Sequence, residues 1–148
     1  MKYITVILIF LSINCNAYSQ ESIQKKTNTI IIYDTIPGHN IWSELTGILV
    51  ENGYGILSAD KETGTVTTTE RAFESGSLKI NILVRDNRIT MRGDYRTDLS
   101  VTMYGVTSSS TWTQITYAGQ RNSINMSAWN EFYKLSQQIP GTREYLVK

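Results

Sequence analysis

Four groups of side chains in this sequence are of types that can do chemistry, and spacing decides what each can do. Residues 58 to 70, "SADKETGTVTTTE", place Asp60, Glu62 and Gly64 within five positions. Two carboxylates beside a glycine suggest the start of a hard-cation loop. Such a loop needs a longer series of oxygen ligands, and Lys61 stands between the two acids. The simpler expectation is a hairpin turn without a metal, in which Gly64 takes a positive φ, Asp60 bonds the turn backbone and the threonines form the solvated side. His39 is the single histidine and the only candidate base for a Ser-His-Asp arrangement. No serine stands in the glycine pattern of a nucleophile elbow. Its place just ahead of a helix accounts for His39 without catalysis, since the helix dipole disfavours its protonated form.

The third group is basic. Leu78, Ile80, Ile82 and Val84 alternate with Lys79, Asn81, Leu83 and Arg85, which is the pattern of a half-buried strand. After Asp86-Asn87 a partner strand carries Ile89, Met91, Gly93 and Tyr95 on one side and Arg88, Thr90, Arg92, Asp94 and Arg96 on the other. Side chains two apart in a strand point the same way. Arg88, Arg92 and Arg96, with Lys79 and Arg85 beside them, therefore form a basic stripe on the outer face, interrupted by Asp94 and with Glu70 nearby. It is either a solvated face with cross-strand charge pairs or a site for an acidic ligand or partner. The tripeptide "RGD" at 92 to 94 places Gly93 inward on this strand, which does not suit the exposed loop that adhesive recognition requires.

The fourth group is aromatic. "SVTMYGV" and "TWTQITYAG" read as a hairpin around "TSSS", with Val106 opposite Thr111 and Tyr104 opposite Thr113. That register puts Tyr104, Val106, Ile115 and Tyr117 on one face and Val101, Met103 and Trp112 on the other. Helices can cover only one of these faces. The other is covered by the C-terminal "REYLV" or is open as a contact surface.

These groups need elements to position them. "NTIIIYD" is a first strand, and Ile41, Leu45, Ile48 and Leu49 mark one face of a helix that begins around Asn40 and ends at Asn52-Gly53. "YGILSA" and "TVTTTE" are strands on either side of "DKETG". A last helix near Ser127 carries Ala128, Phe132, Leu135 and Ile139 on one face, with Trp129 beside them, and stops at Pro140-Gly141. The expected fold is α+β: an antiparallel sheet of about six to seven strands with two helices on one face, in the order β-α-β-meander-α.

Residues 1 to 19 have the form of a signal peptide. Lys2 precedes the apolar run "YITVILIFLSI", and Ala17-Tyr18-Ser19 fits the small-x-small cleavage rule, so cleavage is expected before Gln20. Lipidation at Cys15 would want an aliphatic residue at the position of Ser12 and a small one at that of Asn14, so a lipid anchor is not the expectation. The apolar run falls short of the ~20 residues of a membrane span, and no transmembrane segment is expected in the mature chain. Residues 20 to 27 read as a flexible lead-in and 28 to 148 as a single domain. Without Lys2 the 14 basic residues become 13 against 13 acidic ones. A balanced charge argues against nucleic acid as a partner. A mature chain without cysteine in an oxidising compartment must be stabilised by its core.

The segment "IWSELTGILVENGYGILSADKETGTVTTTE" resembles the opening of TATA-binding-protein-like, helix-grip modules of small Gram-negative envelope proteins. In those modules a tryptophan-bearing helix leads to a "GY-I" strand and a "D-x-x-x-G-x-(V/I)-x-T" turn. Trp42, Gly53, Tyr54, Ile56, Asp60, Gly64, Val66 and Thr68 stand at those positions. The resemblance implies a fold and a compartment and brings no catalytic residues or cofactor. The expectation is a non-enzymatic envelope binding or accessory module, periplasmic or secreted, that meets a protein partner through its sheet or hairpin surface. The alternative is a small-molecule or glycan binder that uses Trp112 and the tyrosines as stacking platforms.

Overall fold

A computed structural model describes residues 23–34, 40–74, 76–98, 101–103, 106–108 and 110–148, with only the backbone described from 101 to 108. The expected leader, Cys15 and His39 lie outside the described residues.

Two helices lie on one side of an eight-stranded antiparallel sheet, so the architecture is α+β as expected. The strands are β1 (Thr29–Tyr33), β2 (Ile56–Asp60), β3 (Thr65–Thr68), β4 (Arg71–Phe73), β5 (Gly76–Arg85), β6 (Arg88–Thr97), β7 (Val101–Met103), β8 (Val106–Ser108), β9 (Thr113–Gln114) and β10 (Thr142–Leu146). Their order is β10-β1-β6-β5-β3-β2, with β4 added on β5 and β9 on β6, while β7 and β8 pair only with each other. The helices are α1 (Ile41–Glu51) and α2 (Ile124–Gln138). Among the described residues no helix is long and apolar enough to cross a membrane.

The long hairpin β5–β6 is the spine, and its register runs from Gly76↔Thr97 to Arg85↔Arg88. Alternation does what the sequence implies. Leu78, Ile80, Ile82, Ile89 and Met91 are buried against the helices, and their neighbours in the chain face the other way. Ile30 and Ile32 of β1 and Val66 of β3 extend the same layer. From above it is closed by Leu45 and Leu49 of α1 and by Ala128, Trp129, Phe132 and Leu135 of α2. Trp129 packs edge-on to Tyr117 and Phe132, with ring centroids 5.7 and 5.8 Å away, an arrangement favoured by the ring quadrupoles.

Local chemistry ends each helix. The Asn40 side chain accepts from the Ser43 amide, and the Ser123 side chain from that of Met126, which satisfies orphan donors in each first turn. Asn52 and Gln138 exchange amide bonds of 2.7 and 2.8 Å, tying the end of α1 to the end of α2. The last carbonyls of α2 are met from outside the helix. Arg143 of β10 donates to Ser136 O at 2.9 Å, Ile139 O at 2.6 Å and Gly141 O at 2.9 Å.

Several expectations need correction. "TSSS" is not a hairpin turn: β7 pairs with β8, with Met103 opposite Val106. The following segment leaves that ladder and pairs with β6, Gln114 opposite Asp94. "REYLV" is not a cover over a hairpin, because Arg143 to Leu146 lie in the edge strand β10 against β1. The stretch from Ile23 to Thr27, expected to precede the fold, contributes to it. Ile23 packs on the core, Thr27 is buried, and Tyr117 bonds its backbone to both Lys26 and Thr27. The threonines of β3 are not all solvated either. Thr68 is buried and its Oγ1 accepts from the Ile80 amide at 2.9 Å, which fills the gap where the ladder passes from β3 to β4. An unpaired amide there would cost about 1–3 kcal/mol.

Candidate functional site

On the sheet face away from the helices, Thr29 and Ile31 of β1 are buried, whereas the described side chains of β3, β5 and β6 are half-buried or exposed; this open part of the face carries the basic stripe. Strand pairing sets Arg88, Thr90, Arg92, Asp94 and Arg96 of β6 beside Lys79, Asn81, Leu83 and Arg85 of β5. Thr65 and Thr67 of β3 come next, opposite Leu83 and Asn81.

The two ends of the stripe have different surroundings. At one end, extending the β6–β9 register sets Trp112 opposite Arg96. Its ring lies 4.4 Å from the Lys79 ammonium and 5.0 Å from the Arg96 guanidinium. Arg96 also pairs with Glu70 at 2.8 Å. Both cations are thus engaged by an aromatic face, and one of them by an acid as well. In the middle, Asn81 donates to Asp94 at 3.5 Å.

At the other end the face dips into a trough of about 420 Å³. Arg88, Arg92 and Lys148 supply its cations, and among the described residues no Asp or Glu side chain lines it. Thr65 and Thr67 of β3 form the opposite side, with Asn81 and Leu83 of β5 between and Thr90 beside the arginines. Arg92 is held by a bond from its Nε to Thr29 Oγ1 at 3.3 Å, an attachment that does not use its two terminal nitrogens. Beside Arg88 in the neighbouring strand, the Tyr33 hydroxyl donates to Glu144 at 2.7 Å. That bond pushes the Tyr33 phenol above its ordinary pKa.

The turns beside the trough are structural. Asp60 accepts from the amides of Thr63 and Glu62, and these bonds hold its carboxyl below the ordinary range. Gly64 has φ +72°, and a Cβ there would collide with the Val84 carbonyl oxygen. Among the described residues no three His, Cys, Asp or Glu side chains come together as a cation would need.

On the helix side, one polar group sits in the core boundary. The Tyr54 hydroxyl is buried without a hydrogen-bond partner, and burial pushes its pKa up to about 12 against the lowering charge of Arg71. The Arg71 guanidinium lies 5.0 Å from the Tyr54 ring and 3.2 Å from Glu131. Partial burial works to raise the Glu131 carboxyl, but hydrogen bonds from Lys134 and Arg71 outweigh it and hold the group below its usual value.

The expected aromatic surface is divided. Ile115 is buried in the core, where its Cδ1 would lie 2.7 Å from a Cβ on Gly93, so Ile115 offers no contact surface and Gly93 is confirmed as inward-facing. Tyr117 packs on Trp129. Tyr104 lies outside the described residues, and Val106 is described only through its backbone pairing. Among the described side chains of this group, Trp112 alone joins the basic stripe. Thr65, Thr67, Asn81 and Lys148, which line the trough, were not singled out from sequence. The pairing of β3 with β5 was the available signal for the first three.

No family model matches the chain, and no curated protein matches it.

Proposed function

We propose that this chain is a non-enzymatic binding module, exported to the cell envelope, that acts through the open face of its sheet. One observation carries this reading. The helices cover one sheet face with apolar side chains, whereas the other presents an ordered row of cations, a half-buried tryptophan and a concave trough. A surface of mixed aromatic and arginine content is the composition that protein interfaces favour at their centres, and the protein partner expected from sequence would meet the chain here. The leader-like first nineteen residues and the resemblance of residues 41 to 70 to helix-grip envelope modules support the compartment.

The trough favours a second reading, a small-molecule binder, because its volume lies within the roughly 300–1,000 Å³ of small-ligand pockets. The stacking-platform version of that reading loses support, since Trp112 lies against Lys79 and Arg96 and does not line the trough.

A cross-linking pull-down from an envelope fraction tests the protein-partner reading. Wild-type protein is expected to recover a defined partner, Thr90→Trp on the open face to lose it, and Gln137→Trp on the exposed side of α2 to keep it. Equal recovery by the Thr90 and wild-type proteins would refute the assignment of the open face.

A further inference from the structure

We infer that the trough is a binding site for a small organic anion whose body carries hydroxyl groups, such as an acidic sugar, with its anionic group on the β6 side. This inference rests on the open face being the binding surface, and it names what part of that face takes.

Charge comes first. Among the described residues, the Arg88, Arg92 and Lys148 side chains bring positive charge to the trough, and no Asp or Glu side chain lines it. At the far end of the same face the cations are engaged, Arg96 by Glu70 and Trp112 and Lys79 by Trp112. The trough end therefore holds the cationic potential that an incoming anion would meet. Guanidinium groups present a planar fork of donors that matches the oxygens of a carboxylate or a phosphate. The bond from Arg92 Nε to Thr29 Oγ1 fixes one side of that fork, so less side-chain freedom is lost when an oxyanion arrives.

The second element is asymmetry. The cations come from β6 and the end of the chain after β10, whereas the facing wall is neutral: Thr65 and Thr67 of β3 supply hydroxyls, and Asn81 of β5 beside them supplies an amide. Those groups both donate and accept, as a hydroxyl-bearing body requires, and a second anionic group there would find no cation. Leu83 lies between the walls and suits the C–H surface of such a body. The size agrees. Arg88 and Arg92 are four residues apart, about 13 Å along the strand, and β3 lies two strand spacings, about 10 Å, from β6. A trough of about 420 Å³ over that area accommodates one or two sugar rings and not a polymer strand.

The test is a titration of the ¹⁵N-labelled protein, followed by amide chemical shifts, with four probes: glucuronate, glucose 6-phosphate, glucose and inorganic phosphate. Glucuronate and glucose 6-phosphate are expected to shift the amides of Asn81, Leu83, Thr90 and Arg92. Their relative affinity identifies whether carboxylate or phosphate is the preferred group. Glucose and inorganic phosphate are each expected to bind at least tenfold more weakly. Arg92→Ala and Arg88→Ala should each weaken the better acid at least tenfold, while Lys134→Ala on the helix side leaves it unchanged. Equal binding of glucose would overturn the anionic requirement, and equal binding of inorganic phosphate would overturn the role of the threonine wall. Absence of shifts with all four probes would overturn the site. In that event, loss of the protein partner by Thr90→Trp still upholds the open face, whereas retention of the partner removes both readings.

Discussion

On the helix side of the sheet, Trp129 is 1 % exposed and lies edge-on between Tyr117 and Phe132. On the open side, Trp112 is half-buried and lies over two cations. The first tryptophan holds the layers together by removing apolar surface from water. The second organises a charged surface that the fold itself does not need to bury. The same contrast divides the charged residues. Arg143 meets the carbonyls of Ser136, Ile139 and Gly141 at and just beyond the end of α2, whereas Arg88 and Arg92 face a trough that no described Asp or Glu side chain lines. A residue whose partners are all within the chain is explained by stability, and one that keeps unspent donors on a concave surface points outward.

Stability measurements can break this contrast, beginning where the effect is largest. Trp129→Ala should lose about 3–5 kcal/mol in denaturant unfolding, since it deletes a fully buried aromatic. Arg143→Ala should lose about 2–3 kcal/mol, because it removes charged hydrogen bonds to helix-end carbonyls and frees β10 from α2. Trp112→Ala should cost about 1 kcal/mol, the value of two partly exposed cation–π contacts. Arg92→Ala and Arg88→Ala should each change stability by no more than about 0.5 kcal/mol, as surface substitutions outside structural networks do. A loss at Arg92 as large as that at Arg143 would mean that the open face is built for the fold, and the contrast would fail.

The smallest effect is on pH dependence. Glu131 is held below its ordinary value of 4.5 in the folded chain. Its contribution is therefore complete above the unfolded value and is lost as pH falls through the lower folded value. Acid titration of stability should show a gentler slope below about pH 4.5 in Glu131→Gln than in wild type. An identical slope would show that the Arg71 and Lys134 contacts do not couple to folding.

Much of the helix side was legible in the sequence, because a single period determines it. Leu78 to Val84 and Ile89 to Tyr95 alternate without interruption, and a slip of one residue would turn every apolar side chain to water. Those strands pair as expected, and Gly64 has the positive φ assigned to it. Residues 101 to 117 gave no such constraint. Alternation there leaves both faces partly apolar, so two registers satisfy it equally, and the chain takes the one that puts Ile115 over Gly93. The partner of β10 is β1, more than a hundred residues away, and a local pattern cannot name it. The cap on α2 is close in sequence but was hidden because the direction of the Arg143 side chain depends on where β10 docks. The trough needed the β3–β5 pairing as well as the basic stripe. The arginines were readable as a row, but the neutral wall that makes a site of them was not.

The proposal assigns binding to the open face and not to the helix side. A photo-crosslinking residue placed at Thr90 on the open face and, separately, at Lys134 on α2 tests it most directly in intact cells. A discrete adduct is expected from Thr90, competed by a bound anion, and none from Lys134. An adduct from Lys134 with none from Thr90 would contradict it.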